Sequence, residues 1–436
     1  MKYIIDVTQL VHWQGRLTGI PRVMQELAVR FPGEQRDVIF VSWVKEVGDM
    51  CEVNLDATLA IRGNGIEYVK SHTSSAQEAT NTIEAPVEPT KLSLTRRSKT
   101  LAKKVLRRIG AEDNRFVAGV RSSLFQKELA TYKRLEISKG DVFFIPAGEW
   151  WDDNFISLVL SYQQQGVKIV QVAHDLLPIV TPQFSGHATE SLSTYNSKIM
   201  PVASLVLANS ESTKKDLVNW LSSKNLPVPK VEVFRIGEDF TFESPTEPTD
   251  EVFKSTGLKG QDFIIAVGTI EARKNHALLY YTYKLAKARN ITLPKLLLVG
   301  RRGWMTNDVY EYITNDPETK NDIIPLHDIS DPELSWLYDN SLFTIYPSFY
   351  EGWGMPIAES IMRGVPCLAS NTSSMPEVAP GFAHYFTPSS TDELLDGIMT
   401  MLKPGYLEKE KAKLKDYKPT TWDDSFAQVI DHLEKI

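Results

Sequence analysis

The sequence has few of the features that mark secreted, membrane-spanning and nucleic-acid-binding proteins. Its only cysteines, Cys51 and Cys367, lack the spacing of a metal or redox motif, so we expect free thiols in a reducing compartment. No apolar run is long enough to span a bilayer, and the chain begins with a predicted strand rather than the pattern of a signal peptide. A net charge of −7 argues against a general nucleic-acid binder. These absences predict a cytoplasmic protein.

A dinucleotide-binding motif is also missing. Such a motif would place Gly-x-Gly-x-x-Gly after the first strand, with an acidic residue about twenty positions further on. The chain has no such pattern at its first predicted strand, residues 2–10 (KYIIDVTQL). This absence argues against a dinucleotide-dependent oxidoreductase.

The length of 436 residues favours two domains, because a single core seldom grows that large. The stretch FESPTEPTDE, with two prolines and four acidic residues, is the best candidate for a linker. We therefore predict an N-terminal domain over 1–240, with an insertion at about 47–140, and a C-terminal domain over 241–414.

Residues 342–370 carry the most informative pattern. The run LFTIYPS predicts a buried strand, and it gives way to a glycine-containing loop that begins at Glu351. Pro356 suits the first position of a helix, because its missing N–H needs no partner there, and Gly364 ends that helix before the strand VPCLAS. The sequence thus predicts strand, glycine loop, helix and strand in succession.

This succession predicts an anion site with a carboxylate on each side. Free backbone N–H groups and the positive end of the helix dipole point at one spot, and glycines let a ligand approach the main chain. A diphosphate fits there. Glu351 precedes the loop and Glu359 lies one turn into the helix, and carboxylates accept paired hydrogen bonds from sugar hydroxyls. A nucleotide-sugar has a diphosphate between two sugars, so it matches this arrangement.

A second segment, GTIEARKN, supplies positive charge. Its strand stops at Gly268, and Arg273 and Lys274 precede a helix that is predicted to start near Asn275. A guanidinium and an ammonium beside the anion loop would neutralise a diphosphate and the charge that grows on it as its bond to sugar breaks.

The N-terminal part offers two further loops at strand ends. A loop that ends at Gly19 separates the first strand from a predicted helix, GIPRVMQELAVRF, and is a second candidate anion site. The strand KIVQVA ends at His174 and Asp175. In open α/β sheets ligands bind beyond the carboxyl ends of strands, so this polar pair is well placed for chemistry.

The two glutamates, separated by seven residues within PSFYEGWGMPIAES, resemble the signature of family 4 glycosyltransferases. The resemblance covers nearly the whole chain and is weakest between about 47 and 140. It implies the α/β GT-B fold, in which two Rossmann-like domains face each other across a cleft. It also implies that a C-terminal helix within 415–436 crosses back to the first domain.

The resemblance assigns roles to the residues already named. Glu359 would hold the ribose, Glu351 and His174 would contact the transferred sugar, and Arg273 with Lys274 would bind the diphosphate. The implied catalytic residues are His174, Asp175, Arg273, Lys274 and Glu351. The implied donor-binding residues are Gly19, Thr269, Arg273, Lys274, Gly300, Arg301, Glu351, Gly352, Trp353, Gly354, Met355 and Glu359.

The implied activity is a retaining transfer of a hexose from a nucleotide-sugar, with GDP-mannose as the first expectation. The segments EGWGMP and GTIEARKN look like those of mannosyl or deoxyhexosyl transferases of bacterial surface polysaccharides such as O-antigen, lipopolysaccharide or capsule. The chain has no Asp-x-Asp string of the metal-dependent transferases, so we predict neither a metal nor a cofactor. A nucleotide-sugar 2-epimerase of the same architecture and a non-catalytic sugar-binding protein are the alternatives.

One stretch predicts contact with a membrane. Residues 96–109 hold seven cations and no acidic residue, with apolar residues on one side of the predicted helix. Such a helix can lie on an anionic membrane surface, where a lipid-linked glycan acceptor would be held, or pack on its own domain as an ordinary solvated helix. Membrane contact would make the protein peripheral on the inner face of the plasma membrane.

Overall fold

A computed structural model describes residues 1–13, 19–34, 36–60, 131–186, 188–240, 242–249, 252–253 and 256–436. The basic stretch 96–109 lies outside these residues, as does most of the predicted insertion. The chain forms two compact units, one from Met1–Ile39 with Ile137–Ile436 and the other from Phe40–Glu136.

The strands are short and lie throughout the described chain. In order they are β1 (Tyr3–Asp6), β2 (Val38–Val44), β3 (Asp49–Glu52), β4 (Val142–Ile145), β5 (Lys168–Ala173), β6 (Leu205–Ala208), β7 (Val231–Val233), β8 (Phe263–Val267), β9 (Lys295–Val299), β10 (Ile323–Leu326), β11 (Thr344–Tyr346), β12 (Cys367–Ser370) and β13 (His384–Phe386).

The helices alternate with these strands over most of the chain. In order they are α1 (Thr8–His12), α2 (Ile20–Ala28), α3 (Leu55–Ala60), α4 (Asp153–Gln164), α5 (Leu177–Val180), α6 (Ala188–Ile199), α7 (Glu211–Ser223), α8 (His276–Ala288), α9 (Asn307–Asn315), α10 (Asp331–Asn340), α11 (Met355–Met362), α12 (Met375–Val378), α13 (Thr391–Met401), α14 (Tyr406–Leu414) and α15 (Trp422–Leu433).

Within the larger unit, strands β1, β4, β5, β6 and β7 pair in the order β1-β4-β5-β6-β7, and each of these pairs is parallel. Strands β1, β4 and β6 are buried along their whole length. Parallel strands covered by helices on both faces read as continuous apolar runs, which is why VFFI and LVLA were recognisable as strands. This N-terminal half therefore has a Rossmann-like sheet.

The first strand is shorter than the sequence predicts. It ends at Asp6, and helix α1 occupies Thr8–His12, so the prediction of a strand over residues 2–10 is wrong at its C-terminal end. The carboxylate of Asp6 accepts hydrogen bonds from the backbone N–H of Thr8 at 2.9 Å and from its hydroxyl at 2.5 Å. This local hydrogen-bonded turn competes with the β-ladder, so the strand ends at Asp6 and helix α1 follows.

The C-terminal half of the larger unit has a second parallel sheet, in the order β10-β9-β8-β11-β12-β13. Its central strands β8, β9 and β11 share one apolar core, with helices α8 and α13 packed on one face. Helix α10 packs on the opposite face through Leu337 and Tyr338. Both faces are therefore covered, as a parallel sheet requires.

The smaller unit contains an antiparallel pair, β2 and β3, followed by α3. Lys133 forms an ion pair with Glu52 at 2.8 Å within this unit. Cys51 is buried there as a free thiol.

The last helix, α15, packs against the N-terminal half of the larger unit. The ring of Phe426 meets the ring of Phe31 edge to face at 5.1 Å, and Asp423 pairs with Arg30 at 2.7 Å. Trp422 is buried against Gly237, where an added Cβ would lie 2.4 Å from the indole ring. The domain boundaries at 240 and 414 remain predictions.

Candidate active site

The carboxyl ends of the two sheets of the larger unit face a shared cavity of about 450 Å³. The N-terminal half contributes residues that follow β1, β5 and β6, and the C-terminal half contributes residues that follow β8 and β11. Of the predicted site residues, the cavity brings together Gly19, His174, Asp175, Thr269, Arg273, Lys274, Glu351, Gly352, Trp353, Gly354, Met355 and Glu359.

The glycine loop after β11 meets the N-terminal half closely. A Cβ added to Gly352 would lie 2.2 Å from the carbonyl oxygen of His174 and 3.0 Å from the Cβ of Asp175. Only a residue without a side chain fits there without moving one of the two halves. Gly354 has a φ of 123°, and the chain then enters α11, with Pro356 in its first turn. The predicted succession of strand, loop and helix is confirmed.

Glu351 lies at the centre of a dense network of hydrogen bonds and ion pairs. Its Oε1 accepts hydrogen bonds from Tyr346 at 2.6 Å, Ser348 at 2.8 Å and Lys274 at 3.0 Å. Its Oε2 lies 2.5 Å from Nη1 of Arg273. Burial alone would raise the pKa of Glu351, but the charges of Lys274 and Arg273 outweigh it and hold that pKa well below its usual range. The carboxylate is therefore ionised.

Arg273 is held at three points. Besides Glu351, it contacts the carboxylate of Glu271 at 2.5 Å and donates to the carbonyl oxygen of Tyr350 at 2.8 Å. Within the part of the chain that the structure describes, the Lys274 ammonium contacts two residues, Glu351 and the hydroxyl and ring of Tyr346.

Glu359 lies on α11, where the hydroxyl of Tyr338 donates to its carboxylate at 3.3 Å. It shares the cavity with Leu334 and with the strand end at Val267. Glu351 and Glu359 therefore lie on the same cavity wall but in different surroundings. Glu351 is bound to two cations, whereas Glu359 accepts a hydrogen bond from the neutral phenol of Tyr338.

His174 and Asp175 enter the cavity from the end of β5. The Nε2 of His174 lies 2.6 Å from the carbonyl oxygen of Pro146, which can only accept, so this nitrogen carries the proton. Burial lowers the pKa of His174 to about 4, so the ring is neutral near pH 7 and its Nδ1 is an acceptor. Burial raises the pKa of Asp175, whose carboxylate accepts from the N–H of Leu177 at 3.0 Å.

Gly300 and Arg301 do not line the cavity. A Cβ on Gly300 would lie 2.1 Å from the carbonyl oxygen of Gly268, so this glycine lets the loops after β8 and β9 pack together. The side chain of Arg301 is exposed, and its carbonyl accepts from the N–H of Ile270 at 2.8 Å. Both residues therefore support the packing of the loops after β8 and β9.

The polar residues that line the cavity without having been predicted include Tyr346, Glu271, Asn209 and Arg22. Tyr346 ends the strand before the glycine loop, and Glu271 precedes Arg273 by two positions, so both lie inside motifs that had been singled out. Within the described residues, the buried Oδ1 of Asn209 and Nε1 of Trp353 lack a hydrogen-bond partner, although both residues line the cavity.

Two features are absent from the described ranges. No helix there combines the length and apolar character that crossing a bilayer requires. In the same residues, no group of three or more His, Cys, Asp and Glu side chains is arranged as a metal site.

The fold with two parallel sheets and a shared cavity can be compared with known proteins. The model of the family described as glycosyl transferases, group 1, matches residues 248–420 of the chain. The whole chain aligns with the crystal structure of Anabaena HepE in complex with UDP-glucose, with a TM-score of 0.58, 16% identity and full coverage of both chains. It aligns similarly with sucrose-phosphate synthase of Thermosynechococcus elongatus, with a TM-score of 0.57, 15% identity and 98% of that chain covered. The predicted GT-B fold is confirmed.

Two curated relatives of the chain are mannosyltransferases of Escherichia coli. The chain is 29% identical over 233 residues to O-antigen chain mannosyltransferase B of Escherichia coli, which is 52% of this chain and 60% of that protein. It is 24% identical over 323 residues to the serotype-specific mannosyltransferase WbdA of Escherichia coli, which is 72% of this chain and 39% of that protein. The chain thus spans between about two fifths and three fifths of the length of these relatives.

Proposed function

We propose that this protein is a retaining, metal-independent glycosyltransferase that moves mannose from GDP-mannose to a growing, lipid-linked surface glycan such as O-antigen. The observation that carries the proposal is a single cavity that combines Arg273, Lys274, the glycine loop, and the carboxylates of Glu351 and Glu359. The names of the E. coli relatives support mannose and O-antigen, and the UDP-glucose bound by the Anabaena structure supports a nucleotide-sugar donor for this fold.

In this proposal the diphosphate binds between the N-terminus of α11 and the two cations. The aligned N–H groups of the first turn favour negative charge, and Arg273 with Lys274 stabilises the charge that develops on the leaving phosphate. Positioned cations and a helix terminus can do work that a metal ion does in other transferases. Glu359 accepts hydrogen bonds from the ribose hydroxyls.

The sugar lies between the two halves. The neutral His174 offers Nδ1 as a hydrogen-bond acceptor to the sugar. Glu351 holds the cations in place and contacts the transferred sugar. Retention follows if the departing phosphate takes the proton of the acceptor hydroxyl, so that attack and departure share one face of the ring.

The proposed setting is the inner face of the plasma membrane. Residues 96–109 would hold the protein on anionic lipid, where each cation adds about 1 kcal/mol that salt screens. A lipid-linked glycan is the natural acceptor at that surface.

A donor screen tests the function. Nucleotide-sugars are compared by thermal shift, because a ligand that binds only the folded state raises the melting temperature. The best binder is then incubated with and without a glycan acceptor, and the anomeric configuration of the product is read by NMR. Acceptor-dependent transfer with retention supports the proposal. Donor conversion without acceptor would indicate a 2-epimerase, and no conversion of any nucleotide-sugar would indicate a non-catalytic sugar-binding protein.

A further inference from the structure

A short polar segment, residues 372–374, lies between β12 and α12 and contacts the backbone of the glycine loop. The glycine loop lines the cavity, whereas these three residues do not. Their hydroxyls bond to backbone atoms of the loop, namely the N–H of Glu351 and the carbonyl oxygens of Phe349, Glu351 and Trp353. The segment therefore supports the loop without entering the cavity.

Ser374 occupies the N-cap position of α12, but its side chain does not cap that helix. A serine at this position usually accepts a hydrogen bond from an N–H of the first turn, which stabilises the helix. Here the hydroxyl lies 2.8 Å from the carbonyl oxygen of Glu351 and 2.7 Å from that of Trp353, and the side chain is fully buried. The hydroxyl of Ser374 thus bonds to the glycine loop in place of its own helix.

Ser373 adopts a backbone conformation that residues with a side chain seldom take. Its φ is 49°, in the left-handed region that favours glycine and asparagine. In this conformation its hydroxyl oxygen accepts a hydrogen bond from the N–H of Glu351 at 2.9 Å. Strained residues of this kind persist where their surroundings hold them, and they cluster at functional sites.

These contacts determine which way the peptide units of the loop are turned. A peptide unit is planar and trans, so a carbonyl oxygen that points to Ser374 directs the N–H of the same unit the opposite way. The carbonyl of Glu351 shares its unit with the N–H of Gly352, and the carbonyl of Trp353 shares its unit with the N–H of Gly354. Both glycines line the cavity. The bonds to Ser374 therefore turn these two N–H groups away from the serine.

The same geometry links Ser373 to one of the cations. The N–H of Glu351 points to the Ser373 hydroxyl, and the carbonyl oxygen of that unit belongs to Tyr350. This carbonyl oxygen points the opposite way and accepts a hydrogen bond from Arg273 at 2.8 Å. Ser373 thus fixes a peptide unit that also restrains the guanidinium of Arg273.

We propose that Ser373 and Ser374 are positioning residues, which hold the glycine loop in the shape that binds the diphosphate of the donor. This inference rests on the proposed function. Backbone N–H groups bind a diphosphate when several of them converge on it, so their direction matters as much as their presence. The two serines act through the loop and make no contact with the ligand themselves.

The test measures the affinity of the full chain for free GDP, and for UDP as a second probe, by calorimetry. Ser374→Ala removes the hydroxyl between the two carbonyl oxygens. Ser373→Gly removes the acceptor of the Glu351 N–H and adopts the left-handed conformation freely, so it carries the test if Ser374→Ala does not fold. We expect each variant to lose at least about threefold in affinity, which is the effect of one net hydrogen bond.

Thr256→Val is the matched control, because it also removes a buried hydroxyl from the C-terminal half. That hydroxyl donates to the carbonyl oxygen of Val252 at 2.6 Å. The carbonyl oxygen of Thr256 accepts from Lys295, the first residue of β9, at 2.7 Å, so the control lies at the edge of the sheet opposite the cavity. It should keep the wild-type affinity for GDP.

Steady-state kinetics distinguish positioning of the loop from a general loss of structure. The loop binds the diphosphate both before and during transfer, so the donor KM should rise by the factor lost in affinity while kcat stays within about threefold of wild type. The acceptor KM should not change. A fall in kcat with an unchanged donor KM overturns the positioning role.

The outcomes separate this inference from the proposed function. Wild-type affinity for GDP in either folded variant overturns the role of that serine and leaves the transferase in place, and an equal loss in Thr256→Val overturns the role of both. A wild type that binds neither GDP nor UDP overturns the positioning role together with the proposed function. A wild type that binds GDP through both serines but transfers no sugar supports the positioning role and overturns the transferase.

Discussion

At the scale of single residues, the site depends on how one carboxylate restrains two cations. Glu351 contacts both Arg273 and Lys274, and Glu271 provides the second negative charge beside Arg273. A donor diphosphate therefore has to share cations that are already paired. The consequences of removing each partner differ, and they can be measured.

Replacing Lys274 tests the stabilisation of the leaving group. Loss of one charge-assisted contact should cost on the order of 2 to 4 kcal/mol in the transition state, so Lys274→Ala should lower kcat/KM by roughly two to three powers of ten. Lys284→Ala is the control, because Lys284 forms ion pairs with Asp316 and Glu318 on the outside of the same half. A loss of less than about threefold in Lys274→Ala contradicts the assignment.

The two cavity glutamates should respond differently to two ligands. Glu359→Ala should weaken free GDP and GDP-mannose alike, because the ribose is common to both. Glu351→Gln should bind free GDP at least as tightly as wild type, since Arg273 and Lys274 lose a competing anion, yet it should bind the sugar-bearing donor less well. Calorimetry with both ligands on both variants decides the matter, and equal losses in the two variants would show that the roles are wrongly divided.

At the scale of elements, the glycine loop is where the C-terminal sheet approaches β5. Gly352→Ala places a Cβ 2.2 Å from the carbonyl oxygen of His174, which forces the loop or the strand end to move. Since a displacement of about 1 Å can cost a factor of about a hundred in rate, we expect kcat/KM to fall at least tenfold. Gly397→Ala is the control, because its Cβ would meet only side-chain atoms of Leu368, at 3.2 Å. Activity of Gly352→Ala equal to that of the control would refute the close approach.

The ends of β1 and β4 bring two buried carboxyl groups under mutual influence. Burial raises the pKa of Asp6 to about 6, and burial together with the charge of Asp6 raises the pKa of Glu149 to about 7. The folded protein therefore keeps protons on these two groups at pH values where the unfolded chain has released them. Because of this pair, the free energy of unfolding falls as the pH rises from about 4.5 through about 7. Glu149→Gln should flatten the fall in melting temperature between pH 5 and pH 8.

A control of opposite sign accompanies that measurement. The side chain and backbone of Ser330 lower the pKa of Glu333 through hydrogen bonds, so Glu333 contributes stability above its ordinary pKa and loses it as pH falls. Glu333→Gln should therefore melt below wild type at pH 8, by a margin that shrinks toward low pH. If Glu149→Gln shows the same pH trend as Glu333→Gln, the description of the buried pair is wrong.

Local patterns predicted the elements but not the contacts between them. The loop from Glu351 to Gly354 and the cations Arg273 and Lys274 were identifiable because glycine, charge and predicted strand ends occur within a few residues of each other. The pairing of Arg273 with Glu351 joins positions 78 residues apart, and nothing in either segment specifies it. The end of β1 was missed because a side-chain turn at Asp6 overrides the apolar run. Contacts across the cleft depend on the tertiary fold, so local patterns in a single sequence do not predict them.

At the scale of the whole molecule, polar contacts across the cleft hold the two halves of the larger unit together. The carboxylate of Glu377, from the C-terminal half, accepts hydrogen bonds from the N–H groups of Glu211 at 2.8 Å and Ser212 at 2.9 Å, the first residues of α7. Tyr350 donates to Asp216 on the same helix at 2.7 Å. A carboxylate at a helix N-terminus contributes about 0.3 to 1 kcal/mol at an exposed site.

Glu377→Gln should weaken this contact and favour separation of the halves. The amide keeps the shape but loses the charge, so the balance should shift by roughly twofold to fivefold toward separated halves. Small-angle scattering and limited proteolysis report that shift. Glu393→Gln is the control, because Glu393 makes the same kind of bond, to the N–H of Thr387 at 2.8 Å, within one half. Identical scattering and cleavage for both variants would mean that Glu377 does not hold the halves together.

The pairing of Arg273 and Lys274 with Glu271 and Glu351 also bears on the end of each catalytic cycle. Two positive and two negative side chains make the cluster electrically neutral by itself, so it would need no counter-ion after a nucleotide departs. Two cations without these carboxylates would bind the nucleotide more tightly, and the product would then inhibit the protein. If the protein has the proposed function, we expect Glu271 and Glu351 to weaken binding of the released nucleotide and so to speed its departure.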